Sequence, residues 1–573
     1  MTSNDISRSS PNGKLGRRGP RVLKGLPSKD RSPQGAPLQQ ASLSTQGRVG
    51  RQRQRRILAI GSVLLLIMLI FAAVRVVQST SASNDQLLVH IGNQQVVTLD
   101  LREALPINPA LLGVNIFPPS STSSKDAASG FMDYSPPLTA GLINAHIKLL
   151  RFPGGNWGEQ HYLSLDQLSA FSALLQQTDA NGMVQARLSG PIGSNFTELT
   201  NVTNRANVAG QWVDFLNNAH SDQRIARYAR APYHPVKFWT VGNEPDRLIN
   251  PATGRTYTVK EYVQDFIQFS TVMHHNDPTI QVFGPEISEF YGAGAGPGDA
   301  DGQLWMEGFL QGVGAYEKAH NVTLLDGVSF HRYQFANAAQ SPYAFLSSAG
   351  EWNYLLPVLH RLISQNLGHD LPIAITEINS NPPHQPAPPR GLAALWWADT
   401  LGALMNQQVA YVAFSPTEGG RAGGGSGEPY SLFTANGPNS QQPTPMFRVM
   451  ELFSHLQKNL IPLEAQRDPV SVYATQDDAH NAVSILFINK SPESQLAQVN
   501  AESSPFTLNP TSPWNKLDIS LAGYSLVVIT LHRNGSAEAY SFIAPTDNDA
   551  TTAEVLHTQC GHKTDPLAND IPC

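Results

Sequence analysis

The sequence predicts an α/β protein: a (β/α)8 TIM barrel with a C-terminal antiparallel β-sandwich, preceded by a single transmembrane helix. Three observations predict this arrangement. Eight short apolar, β-branched runs recur about 35 to 50 residues apart, with helix-like stretches between them. After about residue 455 the helix-like stretches stop and short strand-like runs follow one another. One uncharged apolar run lies near the N-terminus. A chain of 573 residues is too long for a single core, so several domains are expected.

The N-terminal 56 residues are rich in Arg, Gly, Pro, Ser and Gln, a composition that predicts a disordered tail. Residues 57–74 form an uncharged apolar run of 18 residues. With Val76 and Val77, the predicted transmembrane segment 57–78 is long enough to span a bilayer as a helix. Four arginines between residues 51 and 56 precede it directly, so the positive-inside rule predicts a cytoplasmic N-terminus and an extracytoplasmic body. A cleaved signal peptide is the alternative, but no clear small-x-small cleavage pattern follows the run.

Charge is spread unevenly along the chain. Thirteen Lys or Arg and two acids precede residue 57, a balance of +11, so the remainder carries −17 within a whole-chain charge of −6. An acidic body argues against nucleic acid as its partner. The hydrophobic fraction of 41% and the charged fraction of 15% are compatible with a folded, globular body.

The barrel prediction depends on alternation. Short runs typical of buried parallel strands alternate with amphipathic stretches, and eight such units fit a closed barrel better than an open sheet. The strand-like runs are residues 110–117, 146–152, 183–188, 236–241, 280–283, 327–330, 373–376 and 409–414. The helix-like stretches are residues 165–176, 209–219, 259–274, 305–319, 352–366 and 391–406.

The C-terminal region predicts a sandwich, because short alternating runs joined by polar turns are typical of antiparallel sheets. Residues 87–101 also have strand character and are expected to join that sandwich from the other end of the body. The expected organisation is tail 1–56, transmembrane helix 57–78, stalk and joining strand 79–104, barrel 105–455, sandwich 456–545 and C-terminal tail 546–573.

Two cysteines, Cys560 and Cys573, lie close together near the C-terminus. Outside the cytoplasm they can pair and close a small loop, which would contribute up to about 3 kcal/mol in the chain-entropy model. Two free thiols in a frayed tail are the alternative. The spacing of nearby histidines matches no zinc pattern, so no metal site is expected here.

Two carboxylates end two of the predicted barrel strands. Glu244 follows the fourth run in Asn-Glu-Pro, and Glu377 closes the seventh. Strand ends of a parallel barrel meet at its C-terminal face, where such barrels do chemistry. Paired carboxylates are what glycoside hydrolysis needs, one as acid and one as nucleophile or base. The structural alternatives are a helix-capping role for Glu244 and a buried ion pair for Glu377.

Four motifs follow strand ends: Arg-Phe-Pro-Gly-Gly-Asn at 151–156, Gly-Asn-Glu-Pro-Asp at 242–246, His-Arg-Tyr at 331–333 and Glu-Ile-Asn-Ser at 377–380. With these motifs the chain resembles the retaining glycoside hydrolases of clan A. It is most similar to glycoside hydrolase family 79, which contains β-glucuronidases and heparanase-like enzymes. The first motif also resembles the arabinofuranosidases of family 51 and the xylosidases of family 39.

The resemblance implies roles for individual residues. It implies that Glu244 is the general acid/base and Glu377 the nucleophile. It also implies that Asn243 holds the sugar 2-hydroxyl, that Tyr333 contacts the nucleophile and that Arg151 orients it. The structural alternatives are a turn-shaping role for Asn243, packing for Tyr333 and a structural salt bridge for Arg151.

Three further positions are less defined. Asn156, at the end of the first motif, is a candidate for substrate binding. His331 is either a substrate contact or a hydrogen-bonded structural histidine. Glu286, which ends the fifth predicted strand, is expected to be a subsite or structural residue, because a two-carboxylate mechanism leaves it no role.

The predicted function is therefore that of a membrane-anchored, extracytoplasmic retaining glycosidase that hydrolyses O-glycosidic bonds by double displacement, with a β-glucuronidase-like specificity implied by the resemblance. Its substrate is a carbohydrate or glycoside, and it binds the membrane through residues 57–78. An arabinofuranosidase-like or xylosidase-like enzyme and an inactive carbohydrate-binding surface protein are the alternatives. No cofactor or metal is expected, because the two-carboxylate mechanism uses neither. The pKa of Glu244 is expected to be raised by the charge of Glu377. Arg332 and Arg421 are candidates for binding the carboxylate of a uronic acid.

Overall fold

The computed structural model describes residues 85–92, 95–118, 134–228, 234–335, 341–382, 388–417, 431–434, 442–464, 468–501, 516–546, 553–560 and 573. The predicted tail 1–56 and the predicted transmembrane segment 57–78 lie outside these ranges. Within the described ranges, no helix is both long enough and apolar enough to cross a bilayer.

The strands are numbered here in chain order. They are β1 Gln86–Ile91, β2 Gln95–Asp100, β3 Leu105–Pro106, β4 Gly113–Asn115, β5 Leu149–Phe152, β6 Asn181–Ala186, β7 Phe238–Val241, β8 Gln281–Ile287, β9 Gly327–Tyr333, β10 Ile373–Asn379, β11 Tyr411–Phe414, β12 Asn459–Ile461, β13 Val470–Gln476, β14 Ala482–Asn489, β15 Gln495–Asn500, β16 Lys516–Leu521, β17 Ser525–His532, β18 Ala537–Ile543 and β19 Leu556–Gln559.

The α-helices are numbered in the same way. They are α1 Pro136–Asn144, α2 Asn156–Gln160, α3 Leu165–Thr178, α4 Val202–Asn217, α5 Asp222–Tyr228, α6 Val259–Asn276, α7 Trp305–His320, α8 Pro342–Leu346, α9 Trp352–Leu367, α10 Arg390–Asn406 and α11 Pro445–Phe453. Two helices begin with a capping box, in which Ser164 with Gln167 and Thr258 with Glu261 satisfy backbone N–H groups of the first turn.

Strands β4 to β11 close a barrel in sequence order, and β11 pairs with β4 in parallel. All eight strands predicted from the apolar runs are present, and the predicted helices lie between them. The eight-stranded barrel is therefore confirmed.

The barrel interior is apolar at one end and polar at the other. A cluster that includes Leu149, Met183, Phe238 and Phe283 fills the end where the strands begin. Side chains two residues apart on a strand share a face, so Arg151 points into the same interior as Leu149, one layer closer to the C-terminal end. This alternation leaves the C-terminal end of the interior to polar side chains.

The remaining strands form two antiparallel sheets. One has the order β16-β15-β1-β2 and the other has the order β19-β18-β17-β14-β13-β12-β3. A second apolar core takes residues from both sheets, including Leu87 and Val89 of one and Val472 and Phe487 of the other, so the sheets form a sandwich. The predicted contribution of residues 87–101 to this sandwich is confirmed by the pairing of β1 with β15.

The C-terminal segment differs from the tail expected over residues 546–573. Strand β19 lies within it and pairs with β18. Cys560 and Cys573 form a disulfide with their Cα atoms 5.0 Å apart, and the Cys573 side chain is buried against the sandwich core. The two cysteines are therefore paired, and the alternative of two free thiols is wrong.

A buried polar contact joins the barrel to the sandwich. Asp399 on α10 accepts hydrogen bonds from the Tyr473 hydroxyl at 2.7 Å and from Lys490 Nζ at 3.0 Å. The Asp399 and Lys490 side chains are only 1% and 4% exposed. Separating the two partners would leave an uncompensated buried charge, so the pair opposes movement of the sandwich relative to the barrel.

Candidate active site

The predicted site residues meet at the C-terminal end of the barrel. Arg151 ends β5, Glu244 lies three residues beyond β7, and His331 and Tyr333 end β9, while Glu377 lies near the end of β10. All five side chains are buried. The barrel therefore brings together residues that are up to 226 positions apart in the chain.

Local backbone irregularities aim two of the carboxylates inward. The register between β9 and β10 shifts between Ile375 and Glu377, and the register between β8 and β9 shifts between Pro285 and Ile287. Such bulges next to active sites re-aim a side chain at the cost of local ladder pairing. Glu286 and Glu244 also have positive φ angles, 60° and 47°.

Glu244 and Glu377 face one another across His331. A carboxylate oxygen of each and a ring nitrogen of His331 all lie within 4.8 Å of one another. His331 Nδ1 lies 3.2 Å from Glu244 Oε1 and 3.7 Å from Glu377 Oε2. The two carboxylates are therefore close enough to act on opposite sides of one bond.

Arg151 is the centre of the hydrogen-bond network. Its Nη1 donates to Glu377 Oε1 at 3.0 Å and to Asn115 Oδ1 at 2.8 Å. Its Nη2 donates to Glu286 Oε2 at 2.7 Å and to Asn243 Oδ1 at 2.9 Å. The guanidinium is fully buried and is held by groups from four strand ends, so its position is tightly determined.

The orientation of Glu377 is set from three sides. Arg151 binds Oε1, and the Tyr333 hydroxyl donates to Oε2 at 2.7 Å. Gly155 packs against the same carboxylate, since a Cβ atom at this glycine would lie only 2.6 Å from Glu377 Oε1. This part of the Arg-Phe-Pro-Gly-Gly motif is thus required for space as well as for its backbone φ of 68°.

Asn243 and Asn156 extend the cluster toward solvent. Asn243 Nδ2 donates to Asn156 Oδ1 at 3.2 Å. Asn243 is buried, whereas Asn156 is exposed at the start of α2. All seven sequence-predicted site residues therefore belong to one connected cluster.

Two further residues of this cluster, Glu286 and Asn115, are less evident from the sequence. Glu286, expected to have a subsite or structural role, is fully buried and accepts hydrogen bonds from Arg151 and from Thr376 Oγ1, the latter at 2.8 Å. Asn115, which sequence reasoning missed, donates to the Thr376 carbonyl at 2.9 Å while it accepts from Arg151. Its signal was a polar residue inside the first apolar run, residues 110–117.

The site holds three carboxylates, Glu244, Glu286 and Glu377, beside two cations, Arg151 and His331. Burial raises the pKa of Glu286, but the positive charges of Arg151 and His331 outweigh it and lower that pKa to about 2. Burial lowers the pKa of His331, but the charge of Glu377 and hydrogen bonds to Glu244 and Glu286 raise it to about 10. His331 is therefore an imidazolium near neutral pH.

The expected direction for the pKa of Glu244 is wrong. Burial does raise it, but the hydrogen bond and charge of His331, with the charges of Arg247 and Arg151, outweigh burial and lower it. The physical reason is that a cation lies between the two carboxylates.

Glu244, His331 and Glu377 present donor atoms at spacings that a metal ion can occupy. The His331 Nδ1 atom, however, is hydrogen-bonded to Glu244 Oε1 at 3.2 Å. Arg151 and Tyr333 also engage both oxygens of Glu377. The donor set fits a charge-balanced hydrogen-bond network better than a metal centre.

Arg332 is occupied within the fold. It donates to Glu289 Oε2 at 2.9 Å and to Glu351 Oε2 at 2.7 Å, and it is 6% exposed. The arrangement does not support the expectation that Arg332 binds a uronic acid carboxylate. The other candidate, Arg421, lies outside the described residues.

Comparison with protein families gives a match over residues 164–336 to glycoside hydrolase family 44. This match differs from the family 79 resemblance of the motifs. Comparison with curated proteins gives no match.

Several solved structures have a similar fold. A bifunctional glucanase-xylanase from a metagenome library is 16% identical, with a TM-score of 0.52 and coverage of 75% of this chain and 97% of that chain. A family 51 α-L-arabinofuranosidase from Bifidobacterium longum is 14% identical, with a TM-score of 0.55 and the same coverages. A family 44 xyloglucanase from Paenibacillus polymyxa is 12% identical, with a TM-score of 0.50 and the same coverages. The chain is thus similar in fold to glycoside hydrolases of clan A over three quarters of its length, and part of its barrel matches family 44.

Proposed function

We propose that this protein is a retaining glycoside hydrolase that cleaves O-glycosidic bonds by double displacement. The observation that carries the proposal is the spacing of Glu244 and Glu377, whose carboxylate oxygens lie within 4.8 Å at the open end of the barrel. Carboxylates of retaining glycosidases lie about 5–5.5 Å apart, whereas inverting enzymes need about 6.5–9.5 Å to admit a water molecule.

In the first step, Glu377 attacks the anomeric carbon and the bond to the leaving oxygen breaks. Glu244 gives its proton to that oxygen, and a glycosyl ester remains on Glu377. Arg151 and Tyr333 hold the attacking carboxylate in one orientation. In the second step, Glu244 takes a proton from water, which attacks the anomeric carbon and releases Glu377.

Glu244 must be neutral to act as the acid, yet its pKa is lowered in the resting site. The nearest proton donor is His331 Nδ1, 3.2 Å from Glu244 Oε1, although its raised pKa of about 10 makes the transfer to Glu244 energetically uphill. Transfer along this contact converts an imidazolium–carboxylate pair into a neutral imidazole and a neutral acid. This geometry is within the range for direct proton transfer.

The substrate class that fits best is a neutral glycoside. The fold is similar to that of arabinofuranosidases and xyloglucanases, and Arg332 is already paired with two carboxylates. An arabinofuranosidase-like or xylosidase-like specificity is therefore favoured over a β-glucuronidase-like one.

The test is hydrolysis of a panel of aryl glycosides by the full chain in detergent. The panel contains arabinofuranosides, xylosides, glucosides and glucuronides, and the product anomer is followed by NMR. We expect turnover of at least one neutral glycoside with retention of configuration. An inverted product would exclude double displacement, and inactivity on the whole panel would favour a carbohydrate-binding role.

We also propose that the catalytic body is extracytoplasmic and anchored by residues 57–78. The Cys560–Cys573 disulfide supports this location, because structural disulfides persist in oxidising compartments. Protease added to intact cells should remove the body and leave the basic tail. A body that is cut only after lysis would contradict this topology.

A further inference from the structure

A second concave site lies beside the proposed reaction centre. Its cavity of about 470 Å³ is lined by the loop after α2, the loop after β6 and the start of α4. The volume falls within the roughly 300–1,000 Å³ range of ligand pockets. The lining residues that matter here are Tyr162, Arg187, Phe196, Glu198 and Trp212.

Helix α2 connects this cavity to the catalytic cluster. At its start, Asn156 accepts a hydrogen bond from Asn243. Near its end, Glu159 accepts from the backbone N–H of Ser189 at 2.8 Å, and the Glu159 carbonyl accepts from Arg187 Nε at 3.1 Å. One five-residue helix therefore contacts the catalytic cluster at its start and residues that line the cavity near its end.

Phe196 is presented to solvent at a conformational cost. Its side chain is 50% exposed, and its φ of 58° lies in the left-handed region that bulky residues rarely adopt. A backbone bridge between Ile192 and Asn195 closes the turn that precedes it. Strained backbone at a bulky residue is concentrated at ligand clamps and active sites, so this exposed ring is a candidate ligand contact.

The surroundings of Phe196 combine an aromatic surface with polar groups. Its ring lies against that of Tyr162, with centroids 4.1 Å apart, and the Arg187 guanidinium lies 4.7 Å over the other ring. Arg187 is 8% exposed and lines the cavity; its Nε and Nη1 donate to the Glu159 and Ser189 carbonyls, so Nη2 is the donor considered for a ligand. Glu198 also lines the cavity and is exposed. A sugar ring has an apolar C–H face and a rim of hydroxyls, which match an aromatic surface flanked by a donor and an acceptor.

We propose that this cavity is a second saccharide-binding subsite, which holds a sugar unit of the same substrate beyond the bond that is cleaved. The sugar ring packs on Phe196, and its hydroxyls face Arg187 and Glu198. The inference rests on the proposed glycosidase function and adds that the preferred substrate is an oligosaccharide rather than a simple glycoside.

The test compares two substrates for each variant of the full chain. One is a 2,4-dinitrophenyl glycoside, which cannot extend to the cavity, and the other is an oligosaccharide of the same sugar, taken from arabino-, xylo- and xyloglucan oligosaccharides. For Phe196→Ala we expect the ratio of kcat/KM on the oligosaccharide to kcat/KM on the aryl glycoside to fall about tenfold, the effect of losing one aromatic contact. Phe196→Tyr should keep the ratio within about twofold, because it retains the ring.

Tyr343→Ala is the matched control. Tyr343 is 72% exposed on α8 and does not line the cavity. The ratio should stay at the wild-type value in this variant. Thermal midpoints of all three variants show whether each is folded.

The possible outcomes distinguish failure of the subsite proposal from failure of the glycosidase proposal. If the wild-type protein hydrolyses oligosaccharides and Phe196→Ala leaves the ratio unchanged, the subsite is overturned and the glycosidase proposal stands. If the wild-type protein hydrolyses nothing, the glycosidase proposal fails, and calorimetric titration with the same oligosaccharides decides the subsite. Binding that Phe196→Ala weakens then supports a saccharide site, and the absence of binding overturns it.

Discussion

At the scale of single residues, His331 determines the charge state of the site. It is a buried imidazolium whose ring nitrogens face three carboxylates, at 3.2, 3.5 and 3.7 Å. A cation in this position keeps Glu244 and Glu377 close without the repulsion that two bare carboxylates would have. It also places a proton donor next to the proposed acid.

The roles proposed for the two carboxylates predict opposite stereochemistry in azide. Glu377→Ala should lose at least about 100-fold in turnover, and azide should attack the substrate directly to give an inverted glycosyl azide. Glu244→Ala should still form the ester from dinitrophenyl glycosides, because a good leaving group needs little acid help. Azide should then release the sugar from that variant with retention. NMR of the products distinguishes inversion from retention. If Glu377→Ala gave retention and Glu244→Ala gave inversion, the roles assigned to the two carboxylates would be exchanged.

The raised pKa of His331 predicts a pH-dependent contribution to stability. Because this pKa lies at about 10 in the folded protein against 6.5 for an ordinary histidine, the folded state keeps a proton that the unfolded chain loses. The stabilisation is complete below about pH 6.5 and disappears as the pH rises toward 10. Thermal midpoints of wild type and His331→Gln should therefore converge over this interval.

The exposed His369 supplies the control for that comparison. His369→Gln should follow the wild-type midpoint at every pH. A gap between wild type and His331→Gln that stayed constant from pH 6 to 10 would show that His331 is not charged in the folded protein.

At the scale of elements, strand ends and the turns after them position the site. Bulges in β8 and β10 aim Glu286 and Glu377 at Arg151. The turn after β5 places Gly155 directly behind Glu377. Small changes in these turns are expected to affect the reaction more than the stability, since they move the carboxylate and not the core.

Gly155→Ala tests this expectation. The new Cβ would lie 2.6 Å from Glu377 Oε1, so the carboxylate must move. A displacement of about 1 Å in a catalytic group can cost about 100-fold, and kcat should fall by that order. Aryl glycoside kinetics measure the effect.

Gly254→Ala is a control for a Cβ added at positive φ. Gly254 has a φ of 69°, close to the 68° of Gly155, but a Cβ there meets no atom within 4 Å. Because Gly155 also has a ψ of −146°, a combination essentially limited to glycine, Gly155→Ala should lose more thermal stability than Gly254→Ala, and only Gly155→Ala should lose kcat in its folded fraction. Equal losses of kcat in both would mean that backbone strain, not the clash, is responsible.

At the scale of the whole molecule, the sandwich supports the barrel through α10. Lys490 and Asp399 form an ion pair that is almost fully buried, and the Tyr473 hydroxyl binds the same carboxylate. The interface therefore contains charge that is compensated only when barrel and sandwich are docked.

Lys490→Met should destabilise the protein by about 3–5 kcal/mol, because it leaves Asp399 buried without its cation. Urea unfolding of the full chain measures the change. Lys458→Met is the control, since Lys458 pairs with Asp478 at 3.6 Å where both side chains are largely exposed, and its effect should be too small to resolve. A loss in Lys490→Met no larger than in this control would show that the buried pair does not hold the interface.

The sequence by itself determined the strand count of the barrel, the position of the helices, the N-terminal contribution to the sandwich and seven members of the site cluster. These features follow from local patterns: the period of apolar residues and the polar residues that follow strand ends. It did not reveal Asn115 or the arrangement around Glu286, because a polar residue at a strand end has no local feature that shows what it contacts.

Tertiary structure alone decided the charge state of the site. Whether Glu244 has a raised or lowered pKa depends on which ion lies within about 4 Å, and His331 is 87 positions away in the chain. The same holds for Arg332, a candidate substrate ligand in the sequence that is paired with Glu289 and Glu351 in the fold. Local sequence determines which elements form, whereas the environment of a buried charge is set by neighbours that only the closed barrel brings together.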